Sequence, residues 1–283
     1  MTCLTRELKN SDSPLYQWFQ SKQSLCANRL ISNHNAEMNR NQIIKPSGEI
    51  RDFALLGTAF VYAFRWHLGF FESSFDQTIA SNHLTATTAN QLLSAKTVEE
   101  KAVACLIFAA FEAEFRSGTV HEIASVLMNQ DNNKLKPELS YIHNLINDLV
   151  NLIQSISSVW DATDSNLTRH KYFLNPTFIG SSFINADAQQ IVNGSLIKCF
   201  TTLKKHPLTR QHLWQQIAYV LLDWDNQYQI NQVCWYYSRQ KALFIYSTKS
   251  LFKDLPGLRT EFHDFLTASY SHDHDFCHSL VDF

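Results

Sequence analysis

Between Asp187 and Thr202 the chain reads DAQQIVNGSLIKCFTT, with polar side chains spaced two apart on either side of Asn193-Gly194. An Asn-Gly pair flanked by apolar and β-branched runs predicts a two-residue hairpin, because both turn positions need φ > 0. That turn sets Val192 opposite Ser195, Ile191 opposite Leu196, Gln190 opposite Ile197, Gln189 opposite Lys198 and Asp187 opposite Phe200. Alternation then places Asp187, Gln189, Ile191, Leu196, Lys198 and Phe200 on one face. Two carboxylates converging on such a face would hold a hard divalent cation through oxygen, and a lysine beside them would orient an attacking water. This face instead carries one carboxylate, an amide, an ammonium and a phenyl ring. The ammonium repels a dication, so no metal, cofactor or catalytic group is expected at Gln189, Lys198 and Phe200. The pattern predicts that Lys198 pairs with Asp187 or Gln189 and that Phe200 fills the space a site would need.

The run resembles the catalytic hairpin of the PD-(D/E)XK nuclease superfamily, especially its RecB-like branch, where an Asp on one strand and an Asp/Glu-x-Lys on the next point the same way. Matched position by position, the first carboxylate falls at Gln189, the second at Lys198 and the lysine at Phe200. Gln215 and Tyr219, in HLWQQIAYVLLD, stand at the Gln-x-x-x-Tyr spacing that RecB-like nucleases carry after the hairpin. GTAFVYAFR (Gly57 to Arg65) is similar to the helix that opens such domains, and NPTFIGS (Asn175 to Ser181) to the lead-in to the first strand. The resemblance covers the C-terminal half and scattered points of the first half. It implies a pseudo-nuclease with a degenerate catalytic motif, acting as a nucleic-acid-contacting or scaffolding subunit in DNA repair or antiviral defence against mobile elements. Its implied partners are DNA or RNA and a protein of a larger complex. Two alternatives stay open: an active metal-dependent nuclease using the displaced acids Asp187, Glu112 and Glu114, and a purely protein-binding module.

Other residues bear on these readings. Lys204, Lys205, His206 and Arg210 form the best local patch for phosphate, just past the hairpin. Gln215 and Tyr219 lie at i and i+4 on one helical stripe, either beside nucleic acid or as support for the hairpin. Arg65 and Arg116 interrupt or end apolar helices, where a buried guanidinium needs a carboxylate or carbonyl partner. The C-terminal SHDHDFCH gathers His272, Asp273, His274, Asp275, Cys277 and His278, which reads as an exposed tail. The six cysteines are scattered without a Cys-x-x-Cys pair, so neither a disulfide framework nor a structural zinc site is predicted, and Cys105, Cys199 and Cys234 are expected to be buried and reduced.

The elements that must position these residues follow from periodicity. Ser11-Asp12-Ser13-Pro14 starts a helix over Leu15 to Ile31, and the polar stretch ending at Lys45-Pro46-Ser47-Gly48 reads as a loop. Phe53 to Phe71 is a largely apolar helix. Thr97-Val98-Glu99-Glu100 is a capping signature for a helix to Phe115, ended by Arg116-Ser117-Gly118. Further helices are predicted over Val120 to Asn129 and Glu138 to about Trp160. After the hairpin come a helix from about Pro207 to Leu222, two strand-like runs, QVCWYYS and ALFIYST, and a short helix from Leu255. The fold class is therefore α/β, with residues 1–165 mainly helical, continuous with and packed on a mixed-sheet PD-(D/E)XK-like core of 166–283. The 283 residues are 45% hydrophobic and 18% charged, enough for a globular core. A net charge of −2 argues against a strong generic grip on nucleic acid, and the lack of a long apolar run or leader points to a soluble, cytoplasmic protein away from membranes.

Overall fold

A computed structural model describes residues 2–22, 25, 28–71, 75–118, 122–128, 140–156 and 171–270. The helices are α1 Leu4–Glu7, α2 Pro14–Ser21, α3 Asn28–Met38, α4 Phe53–His67, α5 Ala86–Leu93, α6 Val98–Ser117, α7 Glu122–Met128 and α8 Ser140–Gln154. They are followed, beyond the first strands, by α9 Arg210–Leu222, α10 Thr248–Leu251 and α11 Leu255–Tyr270. The strands are β1 Tyr172–Leu174, β2 Gln190–Val192, β3 Ser195–Phe200, β4 Gln232–Tyr237 and β5 Ala242–Ser247. They form one sheet in the order β1-β2-β3-β4-β5, antiparallel throughout except where β3 runs parallel to β4. The parallel step needs a crossover, which α9 supplies. The architecture is thus the α/β one expected, with a helical N-terminal region and a mixed sheet.

Both faces of the sheet are covered, which is why β4 reads as an almost unbroken apolar run. Ile197, Cys199, Cys234 and Tyr236 face α4, α6 and α8 in one core. Leu196, Val233, Trp235 and Tyr237 face α9, α11 and the N-terminal helices in the other. Alternation along each strand assigns neighbours to opposite cores. Helix α6 begins with the capping box the sequence predicts, Thr97 and Glu100 exchanging side-chain and backbone bonds, and ends at Gly118 with φ 70°. The three cysteines expected to be buried are so, and burial pushes Cys199 and Cys234 up to about 12, far from the thiolate form. Among the described residues no helix is long and apolar enough to cross a membrane.

Two sequence expectations need correction. The helix predicted over Leu15 to Ile31 is split, since α2 ends at Ser21 and α3 begins at Asn28. Helix α3 then runs on through polar residues predicted as loop. Tertiary partners override the propensity there: Asn35 donates to the Leu208 carbonyl at 2.9 Å and accepts from its N–H at 3.1 Å. His34 sits between the hydroxyls of Tyr237 and Tyr246 at 3.0 and 3.1 Å, and burial lowers its pKa to about 4. Strand β1 was not expected at all, because three residues carry too little period to be read.

Candidate functional site

The hairpin turns where the Asn-Gly pair predicts, with φ 48° at Asn193 and 75° at Gly194. A Cβ on Gly194 would lie 2.7 Å from the Gln229 carbonyl, so the position admits only glycine. Gln190, Ile191 and Val192 pair with Ile197, Leu196 and Ser195 in the expected register. Below Gln190 the expectation fails. Asp187 does not pair with Phe200; it bridges Thr177, and the Ala188 N–H is drawn to the Pro176 carbonyl at 3.0 Å. The first strand therefore peels away from the second. In a continued ladder Cys199 would have bonded to the backbone of Ala188. Instead the side-chain oxygen of Gln189 accepts the Cys199 N–H at 2.7 Å. The amide at this position closes the ladder that the departing strand leaves open.

The departure opens a cleft of about 1040 Å³. One wall is α4, held at its start by Asp52, whose carboxylate accepts the Leu55 N–H at 2.7 Å. The α4 stripe of Ala54, Gly57, Val61 and Arg65 faces the end of β3 and the segment beyond it. Gly57 lets the two approach, since a Cβ there would stand 3.3 Å from the Thr201 hydroxyl. The segment itself is held from behind by Arg239 and Gln240, which donate to the carbonyls of Thr201 and Thr202 at 2.9 Å each.

On the floor, the Lys198 ammonium donates to Gln215 Oε1 at 3.1 Å, not to Asp187 or Gln189 as predicted. The peeled strand has carried Asp187 away, and the Gln189 oxygen is taken by backbone. Gln215 passes its own N–H on to Thr5 at 2.8 Å, and Tyr219 donates to the Asp187 carbonyl at 2.8 Å. The Gln215 and Tyr219 pair thus both lines the cleft and supports the hairpin. Burial lowers the Lys198 pKa to about 8, with Asp187 acting in the opposite direction. Phe200 does not fill the cavity: it is half-buried on its wall, stacked on Tyr237 at 5.3 Å and against His212 at 4.9 Å.

The acids are brought together but not left open. Arg116 bonds Glu112 through Nε at 2.9 Å and Asp187 through Nη2 at 2.7 Å, so one guanidinium spans both carboxylates. Glu112 also accepts from the buried Tyr62 hydroxyl at 2.9 Å. Burial works against the Arg116 charge, but hydrogen bonds and attraction to Asp187 and Glu112 outweigh it and raise its pKa. Glu114 lies about 200° further round α6 and is not part of the cleft lining. The sequence expectation that Arg65 and Arg116 need carbonyl or carboxylate partners holds for both. Arg65, 1% exposed, donates from Nη2 to the Gln189 carbonyl at 2.6 Å, a carbonyl shared with the Asn175 N–H at 3.0 Å. Its Nε and Nη1 are buried with no partner among the described residues.

The basic patch past the hairpin does not gather. Lys204 lines the cleft; Lys205 is exposed outside it; Arg210 reaches Asn28 at 3.3 Å and packs over Trp214. Thr209 caps α9 and turns Arg210 toward α3, which explains the split. The C-terminal His and Asp cluster lies outside the described residues. Among those described, no three His, Cys, Asp or Glu side chains converge as a metal-binding group. Thr5, Asn175 and His212 also line the cleft; Asn175 and His212 lie inside segments the sequence singles out but carry no site signal of their own there, and nothing in its local sequence marks Thr5. No protein-family model matches the chain, and neither does any curated protein or solved structure.

Proposed function

We propose that the protein is a catalytically degenerate PD-(D/E)XK-like pseudo-nuclease, a cytoplasmic subunit that contacts nucleic acid or scaffolds a larger assembly without cutting. One observation carries the reading. Where the resemblance calls for a second carboxylate stands the ammonium of Lys198, and the acids that remain, Glu112 and Asp187, are bridged by Arg116. A dication entering there would have to displace a guanidinium from both acids and sit near a lysine. The same substitutions favour an anion. Four cationic side chains, Arg65, Arg116, Lys198 and Lys204, line the cleft against two carboxylates, so the local balance is positive although the chain as a whole carries −2. Repair or defence against mobile elements is the setting that the resemblance suggests.

The test is incubation of the purified chain with single- and double-stranded DNA and RNA in Mg²⁺ or Mn²⁺. The expected result is salt-dependent binding without cleavage, weakened by Lys204→Glu with Lys205→Glu. The rival reading, an active nuclease with displaced acids, draws on the convergence of Glu112 and Asp187. Cleavage that disappears in Asp187→Ala or Glu112→Ala would establish it and end the pseudo-enzyme reading.

A further inference from the structure

We infer that the cleft is a binding site for a short nucleotide ligand of dinucleotide length, either a soluble dinucleotide or the unpaired end of a strand. Its phosphate sits at Lys198 and its bases lie toward Phe53 and Leu203. The inference deepens the nucleic-acid reading above and rests on it only for the strand-end source.

The cleft has two chemically distinct ends. Twelve positions separate Phe53 from Arg65 along α4, which at the helical rise is roughly 18 Å. That is too long for a single small anion. At the Arg65 end the guanidinium, 1% exposed and with Nε and Nη1 sealed from solvent, adds positive charge beneath the cleft surface. Lys198 on the floor has, among the described residues, the neutral Gln215 amide as its hydrogen-bond partner. A phosphate oxygen supplies the anionic acceptor that Lys198 lacks there, in the field of the buried Arg65. At the other end, Phe53 and Leu203 line the cleft while remaining 43% and 39% exposed, an apolar pair unusual at a polar mouth. Unpaired bases stack on such surfaces, whereas bases inside a duplex cannot. Between the ends, the small residue Ala54 leaves room for backbone and sugar, and Lys204 lines the cleft for a second phosphate. The volume, about 1040 Å³, is that of a full small-ligand pocket. A smaller pocket of about 290 Å³ shares Lys198, Phe200, His212 and Gln215 with it and leads to Lys9, a route by which a longer strand would continue.

The test uses the full chain, a labelled single-stranded 12-mer of DNA and of RNA, the matching duplexes, a 5′-phosphorylated dinucleotide and inorganic phosphate. The dinucleotide should bind, displace the single-stranded 12-mer and compete better than phosphate. Lys198→Met should weaken both ligands at least tenfold and Phe53→Ala about fivefold, with melting temperatures showing that both variants fold. Binding of the dinucleotide but of no 12-mer supports the site with a soluble ligand and removes the nucleic-acid reading. Binding of the 12-mer that ignores the dinucleotide, Lys198→Met and Phe53→Ala, and is lost in Lys205→Glu, overturns the cleft site and leaves that reading standing. Binding of neither overturns both.

Discussion

Arg239 and Arg65 are both almost wholly buried, and they are used in opposite ways. Arg239 donates from Nε to the Thr201 carbonyl at 2.9 Å and from Nη1 to the Ile44 carbonyl at 3.2 Å and Asp148 at 3.1 Å. Its Nη2 meets the other oxygen of Asp148, and both members of the pair are sealed from solvent. Among the described residues Arg65 makes one hydrogen bond, and its Nε and Nη1 are sealed from solvent without a hydrogen-bond partner. The first arginine has a partner on every nitrogen and ties α8, the segment before α4 and the turn after β4 into one unit. The second lies where a strand peels away and a cleft begins. A buried charge with a partner on every nitrogen belongs to the framework; an undersatisfied one sealed behind a cavity wall contributes its charge to the cavity beyond.

The same substitution at the two sites should separate these roles. Arg239→Met leaves the Asp148 carboxylate buried and unmatched, so unfolding in urea should show a loss of about 3–5 kcal/mol. A loss below 1 kcal/mol would falsify the framework assignment. Arg65→Met removes a charge with one bond and no carboxylate, and the Gln189 carbonyl keeps Asn175, so its stability cost should stay within about 1 kcal/mol. Oligonucleotide binding, measured by anisotropy, should nevertheless fall about threefold, because a positive charge beneath the cleft is gone. Equal stability costs at the two arginines would erase the distinction drawn here.

Lys198→Met sharpens the comparison from the other side. The folded chain gives up the Lys198 proton near pH 8 and the unfolded chain near 10.5. Between those values the unfolded state holds more protons, so stability rises with pH, and below pH 8 the folded state bears the desolvated ammonium in full. Replacing it should therefore raise stability at pH 7 by on the order of 1 kcal/mol, and flatten the rise between pH 8 and 10.5. A melting series across that range reads both. The smallest effect is expected of Phe53→Ala, where an exposed ring leaves stability within about 0.5 kcal/mol while ligand affinity drops. A destabilised Phe53 variant would turn that ring from a binding surface into packing.

How much of this was legible varies element by element. The hairpin turn, the capped helix α6, the apolar helix α4 and the pair β4 and β5 all carry local signals, a turn dipeptide, a capping box or a period, and stand where those signals put them, except that α4 ends at His67 short of the expected Phe71 and the hairpin pairing stops at Gln190. Helix α3 was hidden because its polar residues find partners more than 170 positions away. In the site, Gln189, Lys198, Gln215 and Tyr219 share one cleft, as their spacing suggested. The partner of Lys198 was misread because alternation assumes a strand that continues, and this one turns toward Thr177.

By itself the sequence determined which side chains are available on the hairpin face and that the oxygen ligands of a metal site are replaced there, since residue identity and a two-residue turn are local properties. Only the tertiary structure decided that Arg116 spans Glu112 and Asp187, that Thr5 reaches Gln215, and that Arg65 is sealed behind a cavity wall with two nitrogens unpartnered among the described residues. Those arrangements join residues from α1, α4, α6, the hairpin and α9. Their geometry is set by how two cores pack against one sheet, a balance of many long-range contacts that no short stretch of chain contains.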